Sequence, residues 1–240
     1  MAQGLHGRMQ TSTHKETTMS LTHLDQTLGS LACDIPGATR VFHAFNLDFC
    51  CGGHKSLREA ALRRGLEPER VAAELEALQV QSSHHHDWRE EPRERLIAHI
   101  LSRYHARHRE QLPELIRLAS RVEQVHGARR DCPNGLAEHL REMQQELESH
   151  MLKEEQILFP MLQEGYGRQA SAPISVMRFE HEQHGAALER LLDLTAQITP
   201  PDDACNTWRA LYRGLDELRN DLMQHIHLEN NVLFANALNS

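Results

Sequence analysis

Two segments of the chain carry a histidine and a glutamate four residues apart within an otherwise apolar stripe. His150 and Glu154 form the first pair, and His225 and Glu229 form the second, 75 residues further along the chain. Both segments read H-x(3)-E-x(2)-[IV]-L-F. Four residues span about one helical turn, so the two side chains of each pair can hold the same ion. A buried carboxylate without a partner would cost several kcal/mol or take up a proton, so the pattern predicts a compensating cation.

Two other segments each carry an aromatic residue followed by H-x-x-H. His105 and His108 lie in the first of them, and His181 and His184 lie in the second. His105 and His181 are 76 residues apart, nearly the offset of the His-Glu pairs. The sequence therefore predicts two copies of a helix pair, with His105 and His181 as ligands. His108 and His184, one turn further along, are the competing choices and are interpreted as supporting or core-lining residues.

The predicted donor set contains four imidazoles and two carboxylates: His105, His150, Glu154, His181, His225 and Glu229. Two carboxylates can bridge two metal ions while the imidazoles fill the terminal positions. Nitrogen and oxygen donors without thiolate favour iron or manganese, although zinc stays open. Glu155 lies off the stripe and is not predicted as a ligand. Glu180 is predicted to stand beside the site as a supporting carboxylate or proton carrier.

Four long helical patterns must position these residues. They begin at Pro92, Asn134, Pro173 and Pro201 or Asp202, and they run to about 127, 165, 198 and 238. Strand signals are almost absent. Helices of this length with short polar connections predict an all-α fold whose main part is an antiparallel four-helix bundle, the usual host of carboxylate-bridged di-iron sites. The histidine-rich donor set is closer to that of hemerythrin than to the glutamate-rich ferritin-like type.

The helical period also assigns an inward-facing stripe to each pattern. In the first pattern the stripe consists of Ile97, Leu101, His105, His108 and Leu112. In the second it continues beyond Glu154 to Leu158 and Met161. In the third it consists of Ile174, Met177, His181, His184 and Leu188.

The chain before the bundle consists of three segments that differ in composition and hydrophobic pattern. The predicted division is a flexible N-terminal extension (1–23), a small helical domain (24–79), a polar linker (80–91) and the bundle (92–240). In the small domain, Ser56 is predicted to cap the N-terminus of a helix over 57–64. The linker carries His84-His85-His86, which we interpret as a solvated segment.

The small domain contains the adjacent thiols Cys50 and Cys51, followed by Gly52 and Gly53. One interpretation is two small residues in a turn. The other is a reactive pair that the glycines expose and a nearby helix N-terminus activates by lowering a thiol pKa. Such a pair could exchange thiols, receive an NO group or hold a metal, and it is predicted as a thiol relay. The other cysteines, at 33, 132 and 205, have no partner spacing and are interpreted as structural.

Composition limits the class of protein. The chain has 240 residues, 40% of them hydrophobic, which is enough for a packed core. Its net charge of −8 argues against nucleic acid as the main partner. Its apolar runs are shorter than a membrane span requires, and the N-terminus lacks a secretory pattern. Five cysteines, two of them adjacent, do not form a disulfide framework, so the expected location is the reducing cytoplasm.

These motifs resemble those of the RIC family (repair of iron centres), the hemerythrin-like YtfE/ScdA/DnrN group. The resemblance covers about 24–238. It is carried by the segment Leu47–Gly53 around the two cysteines, by the segment Arg103–Pro113, by Pro173–Met177 with Glu180-His181, and by the two His-Glu motifs.

The resemblance implies a role as well as a ligand set. It implies that His105, His150, His181 and His225 are terminal ligands of two non-haem iron ions. It implies that Glu154 and Glu229 bridge the ions, with an oxo or hydroxo bridge expected after oxidation. The implied activity is repair of iron–sulfur clusters in client proteins under nitrosative or oxidative stress, with NO or O₂ as small ligands.

Two other functions stay open at this point. A di-iron site of this kind could act as an enzyme that reduces nitric oxide, or it could carry O₂ or iron as hemerythrin-like proteins do. The thiol domain makes a simple carrier less attractive, because a carrier has no need of it. A homodimer is also considered, and no membrane partner is expected.

Overall fold

The computed structural model describes residues 23–81 and 87–239, and the chain divides into two compact units between His86 and Asp87. Residues 1–22 of the predicted extension and the His84–His86 segment lie outside the described residues, whereas His23, the last residue of that extension, is helical and buried. Within those residues the regular structure is helical, and the β pairing found there is an isolated bridge between Thr27 and Ser56. The all-α prediction is therefore confirmed.

Within the described part of the first unit lie the helices α1 (Leu28–Asp34), α2 (Ala38–Ala44), α3 (Leu57–Arg63) and α4 (Pro68–Gln81). The side chain of Ser56 accepts a hydrogen bond from the Glu59 N–H, which confirms the predicted cap of α3. The loop between α2 and α3 packs against α2, because the ring centroid of Phe49 lies 5.8 Å from that of Phe42. The backbone of Gly29 donates to the Gly53 carbonyl at 2.8 Å, which fixes the far end of the same loop.

The second unit is the four-helix bundle, made of α5 (93–126), α6 (136–163), α7 (Ser171–Leu194) and α8 (206–239). Two predicted ends are wrong. Helix α7 stops at Leu194 because Ala196, Gln197 and Ile198 adopt left-handed backbone with φ of 49°, 60° and 56°. Helix α8 begins at Asn206, since the residues after Pro201 form a turn in which the Ala204 N–H donates to the Pro201 carbonyl.

Three bundle helices each contain one widened, π-helical turn: Ile100–His105 in α5, Glu154–Leu158 in α6 and Glu229–Leu233 in α8. In each turn a backbone N–H reaches the carbonyl five residues back, as from Phe159 to Glu154. Each turn begins or ends at a residue predicted as a ligand. Such single turns occur frequently at functional sites.

The widened turns also correct two predicted stripe positions. An extra residue in a helix rotates everything beyond it relative to the ideal 3.6-residue period. In α5 the inward-facing position is therefore taken by Ile100, which is fully buried, whereas the predicted Leu101 is half-buried. In α6 the corresponding position is taken by Leu162, which is fully buried, whereas the predicted Met161 is half-buried. The predicted stripe of α7, which has no such turn, is buried throughout.

Candidate metal centre

The structure brings the six predicted donors together inside the bundle. All six are at most 1% exposed. They form two overlapping groups whose candidate donor atoms all lie within 4.8 Å of one another. One group is His105, Glu154, His225 and Glu229, and the other is His150, Glu154, His181 and Glu229. Both glutamates belong to both groups, which is the arrangement that bridging carboxylates require.

The imidazoles meet in pairs through the same ring nitrogen. Nε2 of His105 lies 3.1 Å from Nε2 of His225, and Nε2 of His150 lies 3.1 Å from Nε2 of His181. Helices α5 and α8 supply the first pair, and α6 and α7 supply the second. One pair of helices therefore serves each end of the site.

The outer nitrogens of three of these rings have acceptors. Nδ1 of His105 lies 2.8 Å from Glu155, and Nδ1 of His150 lies 2.9 Å from Glu180. Nδ1 of His181 lies 2.9 Å from the side-chain oxygen assigned to Asn230. An acceptor at Nδ1 places the proton there and leaves the lone pair on Nε2, which is how histidines are prepared to bind metals.

The resulting arrangement of lone pairs and carboxylate oxygens favours a bound cation. Nε2 of His181 lies 3.1 Å from Nε2 of His150 and 3.0 Å from Oε2 of Glu229, so two lone pairs and a carboxylate oxygen face one another when both rings hold their proton outward on Nδ1. Burial, reinforced by His181, lowers the pKa of His150 well below its usual value, so extra protonation does not relieve this contact. A positive ion bound to both nitrogens would remove the repulsion.

The two buried carboxylates also indicate a bound cation. Within the described ranges neither oxygen of Glu154 accepts a hydrogen bond, although Nε2 of His105 and of His150 each lie 3.4 Å from Oε2. Burial and the neighbouring charge of Glu229 raise the pKa of Glu154. Burial opposes ionisation of Glu229 as well, but a proton on Nε2 of His225 or His181, which lie 2.9 and 3.0 Å from its oxygens, outweighs burial and holds the pKa of Glu229 well below its usual value. Two buried carboxylates at one site need positive charge to ionise together.

Charged side chains hold the outer acceptors in place. Glu155 accepts a hydrogen bond from Arg109 at 2.9 Å, and Glu180 is paired with Lys153. The structure places Glu180 beside the site, where it contacts His150. Sequence reasoning set Glu155 aside and missed Asn230. The available signal was their position, because each directly follows a predicted bridging glutamate.

The alternative histidines lie one turn away, and neither belongs to the two donor groups found among the described residues. The ring of His108 lies 5.3 Å from that of His225, and the ring of His184 lies 5.0 Å from that of His150. Burial is the main cause that lowers the pKa of His184 to about 3, and it also lowers the pKa of His108 well below its usual value. Both therefore line the site as neutral rings.

The thiol pair of the first unit differs from two expectations. Cys50 is only 3% exposed, and Gly52 and Gly53 are buried rather than opening the loop. A hydrogen bond to Cys51, burial and the carboxylate of Asp48 raise the pKa of Cys50 well above its usual value, opposite to the predicted activation. The predicted helix N-terminus, at Leu57, is six residues beyond Cys51 along the chain. All five cysteines lie in the described ranges, and no two of them form a disulfide there.

A search of the described helices finds none that is long and apolar enough to cross a membrane.

Comparison with known proteins identifies both units. Residues 96–237 match the family model described as "Hemerythrin HHE cation binding domain". Residues 24–79 match the ScdA_N model, described as a domain of unknown function, DUF542.

Whole-chain relatives match at high identity. The chain is 53% identical over 218 residues to the "Iron-sulfur cluster repair protein YtfE" of Pectobacterium carotovorum subsp. carotovorum, a match that covers 91% of the chain and 99% of the relative. It is 54% identical over 214 residues to the protein of the same description from Yersinia pseudotuberculosis, which covers 89% of the chain and 97% of the relative. The chain, in which the ScdA_N match precedes the Hemerythrin match, therefore belongs to the hemerythrin-like RIC family.

Proposed function

We propose that the bundle binds two iron ions and that the protein uses them to repair damaged iron–sulfur clusters. His105 and His225 would hold one ion, His150 and His181 would hold the other, and Glu154 and Glu229 would bridge them. The observation that carries the proposal is the contact between His150 and His181. Their Nε2 atoms face each other at 3.1 Å while both Nδ1 atoms already have acceptors.

Iron is the ion that the donor set and the relatives favour together. Imidazole and carboxylate donors without thiolate suit iron or manganese. Two relatives that match nearly the whole chain are named as iron–sulfur cluster repair proteins. When bound, a ferrous pair supplies iron for an incomplete cluster and a site where NO or O₂ can bind.

The protein's own residues prepare and protect that chemistry. Glu155, Glu180 and Asn230 orient three imidazoles, so that their Nε2 atoms face inward before an ion arrives. The rings of Phe159 and Phe234 stack on His105 and His181, at 5.9 and 6.0 Å, and exclude water from two sides of the site. Both rings are at most 2% exposed. The site is therefore dry, which strengthens charge interactions within it.

The client proteins in this proposal are iron–sulfur proteins of the cytoplasm. Five cysteines that form no disulfide with one another fit a reducing compartment. Cys50 and Cys51 would act as the thiol relay that engages a client or accepts an NO group. Since Cys50 is buried, the half-buried Cys51 would make the first contact.

Metal analysis together with cluster reactivation tests this function. Protein purified without added metal should contain about two iron ions per chain, the number that a carboxylate-bridged bundle site holds. The iron-loaded protein should restore activity to a client whose [4Fe–4S] cluster was damaged by NO, and the metal-free protein should not. About one zinc ion per chain, or equal reactivation by both forms, would overturn the proposal.

A further inference from the structure

The loop between α2 and α3 brings together three donors that lie outside the bundle. They are the carboxylate of Asp48 and the thiols of Cys50 and Cys51, and one donor atom from each lies within 4.8 Å of the others. Sγ of Cys50 is 3.7 Å from Sγ of Cys51 and 3.3 Å from Oδ1 of Asp48.

These separations are close to the edges of a small coordination tetrahedron. With metal–sulfur bonds of about 2.3 Å and tetrahedral angles, two sulfur ligands of one ion lie about 3.8 Å apart. With a metal–oxygen bond of about 2.1 Å, sulfur and oxygen ligands lie about 3.6 Å apart. The two sulfurs already have the required distance, the Cys50–Asp48 edge is a few tenths of an ångström short of it, and the Cys51–Asp48 edge is no longer than 4.8 Å.

The loop holds the carboxylate in this position through its backbone. Oδ1 of Asp48 accepts a hydrogen bond from the Cys51 N–H and Oδ2 accepts one from the Gly52 N–H, both at 2.9 Å. A Cβ atom at position 52 would lie 2.7 Å from the Asp48 carbonyl oxygen, so a glycine is required there. Ligating carboxylates are ordinarily fixed by such outer hydrogen bonds, and each oxygen retains a lone pair for an ion.

We propose that Asp48, Cys50 and Cys51 form a metal site for a divalent cation that prefers thiolate, such as Fe²⁺ or Zn²⁺. The chain supplies three of four tetrahedral ligands, and the fourth position is open to water or to a thiolate of another protein. Two sulfurs and one oxygen select against Mg²⁺ and Ca²⁺, which take oxygen ligands. Binding replaces the two thiol protons with the cation, and the two protons leave to solvent. The site does not depend on the ions of the bundle, although its two thiols are the ones proposed above as the relay.

Cobalt is a suitable probe, because Co²⁺ bound to thiolates gives intense charge-transfer absorption and imidazole–carboxylate sites do not. The full chain, kept reduced and anaerobic, is titrated with Co²⁺. We expect thiolate–cobalt absorption with tetrahedral d–d bands in the red, and in the Glu154→Ala/Glu229→Ala variant, whose bundle does not compete for cobalt, it should saturate at about one ion per chain. Displacement by Zn²⁺ and by Fe²⁺ in separate titrations then decides which of these ions binds more tightly.

Variants locate the site. The double variant Cys50→Ser/Cys51→Ser should lose the charge-transfer bands, and Asp48→Asn should weaken Co²⁺ affinity by about 10-fold or more. Cys33→Ser, which removes another thiol of the same unit, is the matched control and should keep both bands and affinity. The Glu154→Ala/Glu229→Ala variant should keep the bands too, so loss of the bundle site does not affect this test.

Several results would overturn the proposal. Absence of thiolate–cobalt absorption in the reduced chain is one, and its loss in Cys33→Ser is another. A mass two hydrogens lower under the titration conditions, localised to a Cys50–Cys51 peptide, would show that the pair forms a disulfide instead of a metal site. Unchanged Co²⁺ affinity in Asp48→Asn would remove the carboxylate from the ligand set.

Discussion

The two ends of the bundle site have the same ligands but different surroundings. At the α6/α7 end, both imidazoles have acceptors at Nδ1, Glu180 for His150 and Asn230 for His181. At the α5/α8 end, His105 has Glu155, but Nδ1 of His225 has no hydrogen-bond partner within the described ranges. The internal repeat explains where the difference comes from. The 76-residue offset that pairs His105 with His181 also pairs Tyr104 with Glu180.

Tyr104 replaces a hydrogen bond with a stacking contact. Its ring lies parallel to that of His225, with centroids 5.5 Å apart. Stacking fixes the plane of an imidazole but leaves its tautomer free, whereas an acceptor at Nδ1 fixes both. The α6/α7 end is therefore prepared for an ion more completely than the α5/α8 end. A repeated ligand motif therefore does not by itself give two equal positions.

The largest effect is expected when the two carboxylates that both ends share are removed. In Glu154→Ala/Glu229→Ala, both positions lose their bridging carboxylates, so the iron content should fall from about two ions per chain to almost none. Elemental analysis of protein purified without added metal measures this change.

The matched control is Glu146→Ala, which removes an exposed carboxylate from the same helix, α6. It should retain all of its iron. If the double variant still held one or two ions, the glutamates would not be shared ligands and the two ends would have to be independent sites.

The second prediction separates the ends by their outer acceptors. Glu180→Ala removes the acceptor of His150, and Glu155→Ala removes that of His105. Each should lower the affinity for one of the two ions by about 10- to 100-fold, as loss of an outer hydrogen bond to a ligating histidine usually does. Competition with a chelator measures the two dissociation constants. If neither variant changed either constant, the outer hydrogen bonds would not prepare the histidines.

The sequence was sufficient to bring the six donors to one place. Polar residues in an apolar stripe indicate a partner in the interior of the bundle, which in this case is a shared site. The stripe of α7 was predicted without error because that helix is regular. The widened turns were not predictable in the same way. One extra residue in α5 exchanged Leu101 for Ile100 at the core, and residue types carry little signal for such a turn.

Two of the outer acceptors, Glu155 and Asn230, could not be predicted from a periodic pattern either. Glu155 lies off the stripe of α6, yet its side chain reaches His105 on α5. A helical period tells which way a residue points, but a long side chain at the edge of a stripe contacts the next helix, whose position the pattern does not give. The end of α7 was missed for a different reason, since left-handed backbone at three consecutive non-glycine residues is uncommon.

The third prediction concerns pH and the neutral histidines that flank the two ends. The pKa of His184 is about 3 in the folded chain, mainly through burial, against about 6.5 in an unfolded one. The unfolded chain therefore binds the extra proton between these values, so stability is lost as the pH falls from about 6.5 towards 3. At pH 5 this group should cost about 2 kcal/mol.

Urea unfolding of the metal-free protein at pH 7 and pH 5 measures this loss. His184→Gln should lose about 2 kcal/mol less than the original chain between the two values. His108→Gln, at the α5/α8 end, should behave in the same direction, because burial lowers the pKa of His108 too. Equal losses in all three proteins would show that these histidines do not govern the acid sensitivity of the bundle.

The smallest effect is expected at Tyr104 and tests the difference between the ends directly. Burial is the main cause that raises the pKa of Tyr104 to about 12, so its hydroxyl stays neutral, and it is the ring that contacts His225. Tyr104→Phe keeps the stacking and should leave the rate of iron release to a chelator unchanged. Tyr104→Ala removes the stacking, worth about 0.5–1.5 kcal/mol, and should speed release of one ion by about 2- to 10-fold. A Tyr104→Phe variant that released iron as readily as Glu180→Ala would mean that the hydroxyl is the missing acceptor of His225, and the two ends would then be equivalent.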